Sequence, residues 1–309
     1  MSTSSRPSLS QLRAFVALCD YQHFGEAANA LGVSQPSLSQ AITALEKRAG
    51  AELVERTTRR VLVTTLGETL LPYAREVIVA ADAFNDAMVN QGETLSGNLS
   101  LGLIPTLAPY FAPIILDHLT AELPQIQPEL RELVTGDVLE MLERGSLDAA
   151  VIAIDVDTQR AAAIPMFDEP LVAIVPSNHA WVGRTDLTIA ELDEEELLLL
   201  DESNCLRDQT LALCQRYSAQ PPTAVATTLS TVVRMVAHGA GVTVVPAGSL
   251  QLIENIEGCE PVYFKDNAPV RRIGLVHRSS SSRKEDFELL AKTLTELCRK
   301  ANLPMVEIS

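Results

Sequence analysis

The stretch Ser34-Gln-Pro-Ser-Leu-Ser-Gln-Ala-Ile-Thr-Ala-Leu-Glu-Lys47 decides the fold of the N-terminal region. Ser34 is a favourable helix N-cap, and Pro36 is tolerated in the first turn, where the backbone N–H has no helical partner. Leu38, Ile42 and Leu45 lie at helical spacing and predict one buried face. The opposite face is polar and carries Ser34, Gln35, Ser37, Ser39, Gln40 and Thr43. This pattern predicts a helix that packs on one side and offers short hydrogen-bonding side chains on the other.

Two shorter helices are predicted before this stretch. Residues 9–20 place apolar side chains at helical spacing, and a second helix runs from Phe24 to Leu31 and ends at Gly32. Two helices joined by a tight turn, the second with a polar outer face, are typical of a helix-turn-helix. Residues 53–64 predict a two-stranded wing with arginines at its tip. We therefore predict a winged helix-turn-helix DNA-binding domain over residues 1–65.

The charge distribution agrees with that prediction. The 309-residue chain has a formal net charge of −16, yet residues 1–65 contain seven Lys and Arg against five Asp and Glu. A mildly basic module attached to an acidic body is expected when only the module faces a polyanion.

Residues 66–92 predict a linker and dimerisation helix. Its apolar residues recur at alternating spacings of four and three, at Leu66, Leu70, Tyr73, Val77, Ala80, Phe84 and Ala87. Such a heptad seam favours a coiled-coil-like contact between two chains. Pro72 marks either an early kink or a second helix start.

Residues 93–309 alternate between apolar strands and helices, which predicts an α/β regulatory domain with mainly parallel sheets. The predicted elements include strands at Leu171–Val175 and Arg272–Val276 and a helix at Cys205–Tyr217. The length suits two lobes with a ligand cleft between them. We place the first lobe at about residues 97–166 and 269–309, and the second at about residues 167–268.

Several classes of protein are disfavoured by the composition. The five cysteines form no CxxC motif and no cluster with histidine at metal-ligand spacing, so we expect neither a metal nor another cofactor. No apolar run approaches the roughly 20 residues that span a membrane, and no signal-peptide pattern follows Met1. We expect a cytoplasmic protein without a membrane partner.

The stretch Cys205-Leu-Arg-Asp-Gln-Thr-Leu-Ala-Leu-Cys214 contains two of the five cysteines. In a helix, nine residues advance the chain by about 13.5 Å and place the two sulfurs on opposite faces. A disulfide needs Cα atoms about 4.4–6.8 Å apart. The two cysteines therefore cannot bond while the segment is helical, but they could if it refolded, as a two-state thiol switch requires.

Two N-terminal stretches, Phe24-Gly-Glu-Ala-Ala-Asn-Ala-Leu-Gly-Val-Ser-Gln-Pro-Ser-Leu-Ser39 and Gly50-Ala-Glu-Leu-Val-Glu-Arg-Thr57, carry a specific resemblance. With the linker helix and α/β body, they make the chain similar to the LysR-type transcriptional regulators over nearly its whole length. The resemblance implies a winged helix-turn-helix, a long linker helix and a two-lobed regulatory domain like a periplasmic binding protein. It implies a regulator and not an enzyme.

Within that family, three stretches resemble its hydrogen-peroxide sensors: Leu103–Tyr110, Gly274–Arg278 and the stretch that starts at Cys205. The resemblance implies that Cys205 is the peroxidatic cysteine and that Cys214 resolves it by forming an intramolecular disulfide. That bond would refold the segment, rearrange the oligomer, and change DNA binding and the transcription of antioxidant genes. Thr106 and Arg278 would hold the peroxide, together with Asn204, which stands where many such sensors have histidine.

The resemblance also implies macromolecular partners. The expected partners are double-stranded promoter DNA, RNA polymerase, and further copies of the chain in a dimer through the linker helix and in a tetramer. Gln40 stands where LysR regulators often have arginine. The combined DNA-contact candidates are Ser34, Gln35, Pro36, Ser37, Ser39, Gln40, Arg56, Arg59 and Arg60.

Two other functions compete with this hypothesis. The chain could be a LysR-type regulator that binds a small-molecule effector between its lobes, with incidental cysteines. It could also be a thiol peroxidase or a cysteine hydrolase, although no nucleophile elbow is present and the N-terminal 65 residues would then have no role. Neither the direction of regulation nor the choice between dimer and tetramer follows from the residues.

Overall fold

The computed structural model describes residues 6–56, 61–89, 95–154, 161–213, 225–265, 268–281 and 283–308. The chain divides into two compact units, Met1–Gly92 and Glu93–Ser309. In the described parts of the chain, no helix combines the length and apolarity that crossing a membrane requires. The same residues contain no group of three or more His, Cys, Asp or Glu side chains able to hold a metal ion.

The first unit is a winged helix-turn-helix followed by a long helix. Its elements are α1 (Leu9–Tyr21), α2 (Phe24–Ala30), α3 (Gln35–Ala49), β1 (Val54–Arg56), β2 (Val61–Val63) and α4 (Thr65–Val89). β1 and β2 pair as an antiparallel wing. Ser34 caps α3 by accepting a hydrogen bond from the Ser37 amide, and Gly50 ends the helix at φ 74°. The predicted winged helix-turn-helix is confirmed.

α4 is one helix of 25 residues, and Pro72 lies inside it rather than starting a second helix. Ala74 is buried in the core of the first unit. Tyr73, Val77 and Phe84, three members of the predicted seam, are exposed. An apolar stripe on a long helix is thus left uncovered by the rest of this unit.

The second unit is α/β. Its elements are β3 (Gly97–Leu103), α5 (Ala108–Ile114), a π-helical turn (Ile115–Leu119), α6 (Thr120–Glu122), β4 (Ile126–Glu132), α7 (Thr135–Arg144), β5 (Ala149–Ala153), β6 (Ala161–Pro176), a 3-10 helix (Ile189–Glu194), β7 (Leu199–Leu200), α8 (Cys205–Leu213), β8 (Val225–Ala226), α9 (Leu229–Ala237), β9 (Thr243–Pro246), a 3-10 turn (Ala247–Ser249), α10 (Leu250–Ile253), β10 (Cys259–Val262), β11 (Val270–Arg278) and α11 (Lys284–Lys300).

The main sheet has seven strands in the order β10-β6-β11-β5-β3-β4, with β9 also paired to β6. Only the β3–β4 and β3–β5 pairings in it are parallel, whereas the pairings of β6 and β11 are antiparallel. The expectation of mainly parallel sheets is therefore wrong. Alternating strands and helices predict parallel pairing, but the long strands β6 and β11 pair directly with each other and return through the sheet in the opposite sense.

β6 belongs to two apolar cores. Its first part, Ala161–Pro170, pairs with β11, and its second part, from Leu171 onward, pairs with β9 and β10. Phe167 lies in a core with β3, β5 and α11, and Leu171 lies in a separate core with β7, α9 and β9. We call these the first and second cores. They give the α/β unit its two lobes, whose residue bounds stay a prediction.

Candidate functional site

Cys205 is the first residue of α8, and the turn before it is tightly held. The buried Asn204 side chain accepts a hydrogen bond from the Leu206 amide at 3.4 Å. Arg207 Nη1 donates to the Leu200 carbonyl at 3.0 Å, which ties the helix to β7. The Cys205 side chain is only 7% exposed and packs in the first core, while its neighbour Leu206 packs in the second. The thiol therefore lies at the boundary between the two lobes.

The ionisation of Cys205 is set by opposing influences. Burial raises the pKa of the thiol, because the charged thiolate loses its water. The Arg271 guanidinium, the Thr135 hydroxyl and the amide of Cys205 itself oppose this rise. The Thr135 hydroxyl is buried and makes no hydrogen bond to nitrogen or oxygen among the described residues. It begins α7, just as Cys205 begins α8, and N-terminal helix dipoles favour a negative charge.

Arg271 belongs to a buried polar network behind the thiol. Its guanidinium and the Glu169 carboxylate are both fully buried and form an ion pair, with Nε donating to Oε2 at 2.9 Å. Nη1 donates to Thr106 Oγ1 at 2.8 Å, and Nη2 donates to the Thr106 carbonyl at 3.2 Å and to Tyr110 Oη at 2.9 Å. Arg271 thus hydrogen-bonds the Thr106 loop and also opposes the rise in the pKa of Cys205.

The strand register explains why this arginine is buried. Arg271 on β11 lies opposite Glu169 on β6, and Arg272 lies opposite Asp168. Successive side chains of a strand point to opposite faces, so one pair enters the core and the other faces outward. The Arg272–Asp168 pair is bidentate, at 2.8 and 2.9 Å, but the Arg272 side chain is 45% exposed.

The structure brings together some of the predicted site residues. Thr106 is buried and hydrogen-bonded to Arg271, and Asn204 lies in the turn directly before Cys205. Arg278 lies seven residues further along β11, where its Nη1 donates to the Leu142 carbonyl at 3.1 Å. Cys214, the predicted resolving cysteine, lies outside the described residues, so the disulfide stays a prediction.

Sequence reasoning missed Arg271, Glu169 and Thr135. A signal was present in the complementary dipeptides Asp168-Glu169 and Arg271-Arg272. Using it would have required the strand register, because either arginine could have faced either carboxylate.

The other described cysteines lack these surroundings. Burial, with the negative charge of Glu169, raises the pKa of Cys298 to about 12. Burial, with Asp20, raises the pKa of Cys19 to about 12. Burial and Glu260 also raise the pKa of the half-buried Cys259. Among these four thiols, Cys205 is the one on which Arg271 acts.

A second candidate site is the outer face of α3. Leu38, Ile42 and Leu45 are buried, as the sequence predicts. Ser39 is half-buried, and the exposed candidates on this face are Ser34, Gln35, Pro36, Ser37 and Gln40. Arg56 ends β1, while Arg59 and Arg60 lie outside the described residues. The face presents short polar groups at a helix N-terminus, which suits contacts to phosphates and base edges.

The comparisons with known proteins agree with this architecture. Residues 9–68 match the bacterial regulatory helix-turn-helix protein family of the LysR type, and residues 92–299 match the LysR substrate binding domain. The chain belongs to the LysR family. The predicted resemblance is confirmed, and LysR proteins with these two domains are transcriptional regulators, not enzymes.

Similar LysR relatives include named peroxide regulators. The chain is 43% identical over 296 residues to a "Probable hydrogen peroxide-inducible genes activator" of Mycobacterium leprae, covering 95% of each chain. It is 40% identical to a cysteine-to-serine variant of Corynebacterium glutamicum OxyR with hydrogen peroxide bound, covering 97% of this chain and 95% of that one, at a TM-score of 0.67. A full-length cysteine-to-aspartate variant of Pseudomonas aeruginosa OxyR is 31% identical, covers 98% and 99%, and has a TM-score of 0.81.

Proposed function

We propose that this LysR regulator senses hydrogen peroxide through oxidation of Cys205. The observation that carries the proposal is the environment of its thiol, which combines the Arg271 guanidinium with a Thr135 hydroxyl that has no nitrogen or oxygen partner among the described residues. Such a site can stabilise a thiolate and bind a small molecule that both donates and accepts hydrogen bonds. The peroxide bound to the C. glutamicum relative supports this choice of ligand.

The chemistry begins with the thiolate. The Cys205 sulfur attacks one peroxide oxygen, the S–O bond forms as the O–O bond breaks, and hydroxide leaves and takes up a proton to become water. The sulfur is oxidised to a sulfenic acid and the peroxide is reduced. Because burial raises the Cys205 pKa, little thiolate is present at neutral pH, and Arg271 and Thr135 lower the cost of forming it.

The buried polar groups can also stabilise the departing hydroxide. Thr106 is held by Arg271, so a peroxide between this loop and Cys205 would meet a hydroxyl and a cation on one side. We assign the role of the peroxide-site arginine to Arg271, because its charge acts on the Cys205 thiol, whereas Arg278 is not among the groups that shift the pKa of that thiol. Asn204 contributes by holding the amide of Leu206 at the start of α8.

Cys214 then resolves the oxidised Cys205. Its thiol attacks the sulfenic sulfur, the S–S bond forms, and water leaves. Cys205–Leu213 is helical in this structure, and a helix continued through the next residue would hold residues 205 and 214 too far apart for a disulfide. Leu206, Leu211 and Leu213 pack in or against the second core. Forming the bond would therefore unfold α8 and repack part of that core.

The first unit transmits this change to DNA. The exposed polar face of α3 fits a major groove, and the exposed apolar stripe of α4 fits a second copy of the same helix. We propose a cytoplasmic homo-oligomer, a dimer through α4 and a tetramer through further contacts. It binds promoter DNA and acts on RNA polymerase at antioxidant genes.

The test treats the reduced full-length chain with about one equivalent of hydrogen peroxide and maps the products by mass spectrometry. We expect a Cys205–Cys214 linkage in the wild type, a Cys205 sulfenic acid in Cys214→Ser, and neither in Cys205→Ser. Cys298→Ser is the matched control and should behave as the wild type. Wild-type protein that consumes peroxide no faster than Cys205→Ser would contradict the proposal.

Footprinting on the promoter of its own gene extends the test to DNA. We expect the protected region to differ between reduced and oxidised wild type and to be identical in both states of Cys205→Ser. The affinity should fall steeply with salt, because phosphate contacts release counterions. A DNA affinity that responds to a small effector but not to reductant would instead favour the effector-binding alternative.

A further inference from the structure

We propose that Glu169 is a positioning residue for the peroxide reaction, whose buried carboxylate fixes the Arg271 guanidinium in the orientation that serves Cys205. This inference rests on the proposed function, because it assigns a role within the same site. Glu169 does not act on the sulfur directly; its effect passes through Arg271.

The Glu169 carboxylate accepts hydrogen bonds from three separate segments of the chain. Arg271 Nε on β11 donates to Oε2 at 2.9 Å, and Tyr110 Oη on α5 donates to Oε1 at 2.8 Å. The Gly248 amide, in the 3-10 turn after β9, donates to Oε1 at 3.1 Å. Tyr110 packs in the first core, and β9 packs in the second. Glu169 thus fixes Arg271 relative to both lobes.

The guanidinium is held so that four of its five N–H donors have partners. Nε bonds Glu169, one Nη1–H bonds the Thr106 hydroxyl, and the two Nη2–H groups bond the Thr106 carbonyl and Tyr110. Arginine has five such donors in a rigid plane. Within the described residues, one Nη1–H is left, on the nitrogen that also bonds Thr106. We assign that donor to a bound peroxide oxygen.

Gly248 shows how closely the network is fitted. A Cβ at this position would lie 2.6 Å from Tyr110 Cε2 and 2.7 Å from Glu169 Oε1. Both distances are far below van der Waals contact, so any side chain at residue 248 would displace the carboxylate or the phenol. Gly248→Ala therefore disturbs the position of the network without removing a charge.

Stability alone is a weak reason for such an arrangement. Replacing a buried ion pair by well-packed apolar residues is often neutral or stabilising. The network also satisfies Tyr110, whose pKa is raised well above 10 by burial and by Glu169, so the phenol stays a neutral donor. A neutral donor and a fixed carboxylate keep Arg271 charged and oriented.

The experiment compares Glu169→Gln, Gly248→Ala and the matched control Asp168→Asn in the reduced full-length chain. Asp168→Asn removes the carboxylate of the adjacent pair, which is on the outer face of the same strands. Two rates are followed at Cys205 by mass spectrometry over a pH series. The pH dependence of alkylation by iodoacetamide gives the fraction of Cys205 present as thiolate. The rate of oxidation by hydrogen peroxide, divided by that fraction, gives the peroxide rate per thiolate.

We expect Glu169→Gln to lower the peroxide rate per thiolate by about 10- to 100-fold, because small misplacements of reacting groups have effects of that size. Its thiolate fraction at a given pH should rise, because the charge of Arg271 is no longer neutralised. Gly248→Ala should lower the peroxide rate about 10-fold without that rise. Asp168→Asn should stay within about twofold of the wild type for both rates.

A fall in the peroxide rate together with a rise in the alkylation rate indicates loss of positioning, because a general disruption of the fold would not change the two rates in opposite directions. A Glu169→Gln variant whose peroxide and alkylation rates fall by the same factor, or whose peroxide rate matches Asp168→Asn, overturns the inference. If circular dichroism shows that Glu169→Gln is unfolded, an unchanged peroxide rate in folded Gly248→Ala overturns it. A wild-type Cys205 no faster than free cysteine would instead refute the proposed function itself.

Discussion

Cys205 and Cys298 are buried in the same apolar core, yet opposite members of one ion pair act on them. Arg271 opposes the effect of burial on the Cys205 pKa, whereas Glu169 adds to the effect of burial on Cys298 and helps to raise its pKa to about 12. Burial alone therefore does not set the pKa of either thiol. What distinguishes the two is which end of the Arg271–Glu169 pair each one faces.

Removing Arg271 should abolish the difference between the pKa values of Cys205 and Cys298, and it should have the largest effect of the substitutions considered. Arg271→Met leaves Glu169 buried without its cation, and we expect the free energy of unfolding to fall by about 3–5 kcal/mol. The Cys205 pKa should rise toward that of Cys298. Urea denaturation and the pH dependence of alkylation measure the two effects. Arg272→Met, which breaks the exposed pair next to it, should cost about 1 kcal/mol or less.

Removing the Thr135 hydroxyl should reduce the difference between Cys205 and Cys298 without abolishing it. Thr135→Val keeps the shape of the side chain but removes the hydroxyl that can donate to the thiolate, and a hydrogen bond to a charged group is worth about 1.5–3 kcal/mol. We expect the peroxide rate of Cys205 to fall about 10- to 100-fold, measured by stopped-flow oxidation. Thr243→Val removes a buried hydroxyl that donates to the Leu198 carbonyl, and it should leave that rate unchanged.

The pH dependence should separate the two cysteines without any mutation. The Cys205 pKa is raised, so the thiol predominates at pH 7, and its alkylation should become about tenfold faster per pH unit as the thiolate forms. Cys298, with a pKa of about 12, should stay almost unalkylated up to pH 9. A Cys205 rate that is flat between pH 7 and pH 9 would contradict the influence of burial on this thiol.

The smallest effect is expected at Cys298 itself. Cys298→Ala should change the peroxide rate of Cys205 by less than about twofold and lower the free energy of unfolding by about 1 kcal/mol, as for a modest core truncation. Competition kinetics against a reference thiol and urea denaturation measure these quantities. A large loss of peroxide sensitivity would show that Cys298 takes part in the reaction.

Local residue patterns predicted much of this molecule. The capped helix at Ser34, the wing and the long α4 helix follow from helix caps and periodicity, and the start of α8 at Cys205 was also anticipated. These features depend on neighbouring residues, which a sequence displays directly. The family motifs added a hypothesis for the chemistry of Cys205.

The part that escaped prediction depends on strand register. Only Leu171–Val175 of β6 was anticipated, because the preceding residues are rich in alanine and contain Pro165 and Pro170, which disfavour strands. Pro165 lies at the shift in register beside Gly274, where a bulge tolerates proline. Without β6, the sequence offered no way to place Glu169 opposite Arg271, and the buried half of the site stayed hidden.

β6 has one more consequence. Its sixteen residues extend for about 50 Å, and this single continuous strand contributes to the cores of both lobes. A protein whose two lobes are joined only by short hinge segments can close around its ligand by a rigid-body rotation. Because this one paired strand runs through both lobes, we expect the sheet to resist such closure, so that under the proposed mechanism the conformational change is local to α8, the short helix that begins at Cys205.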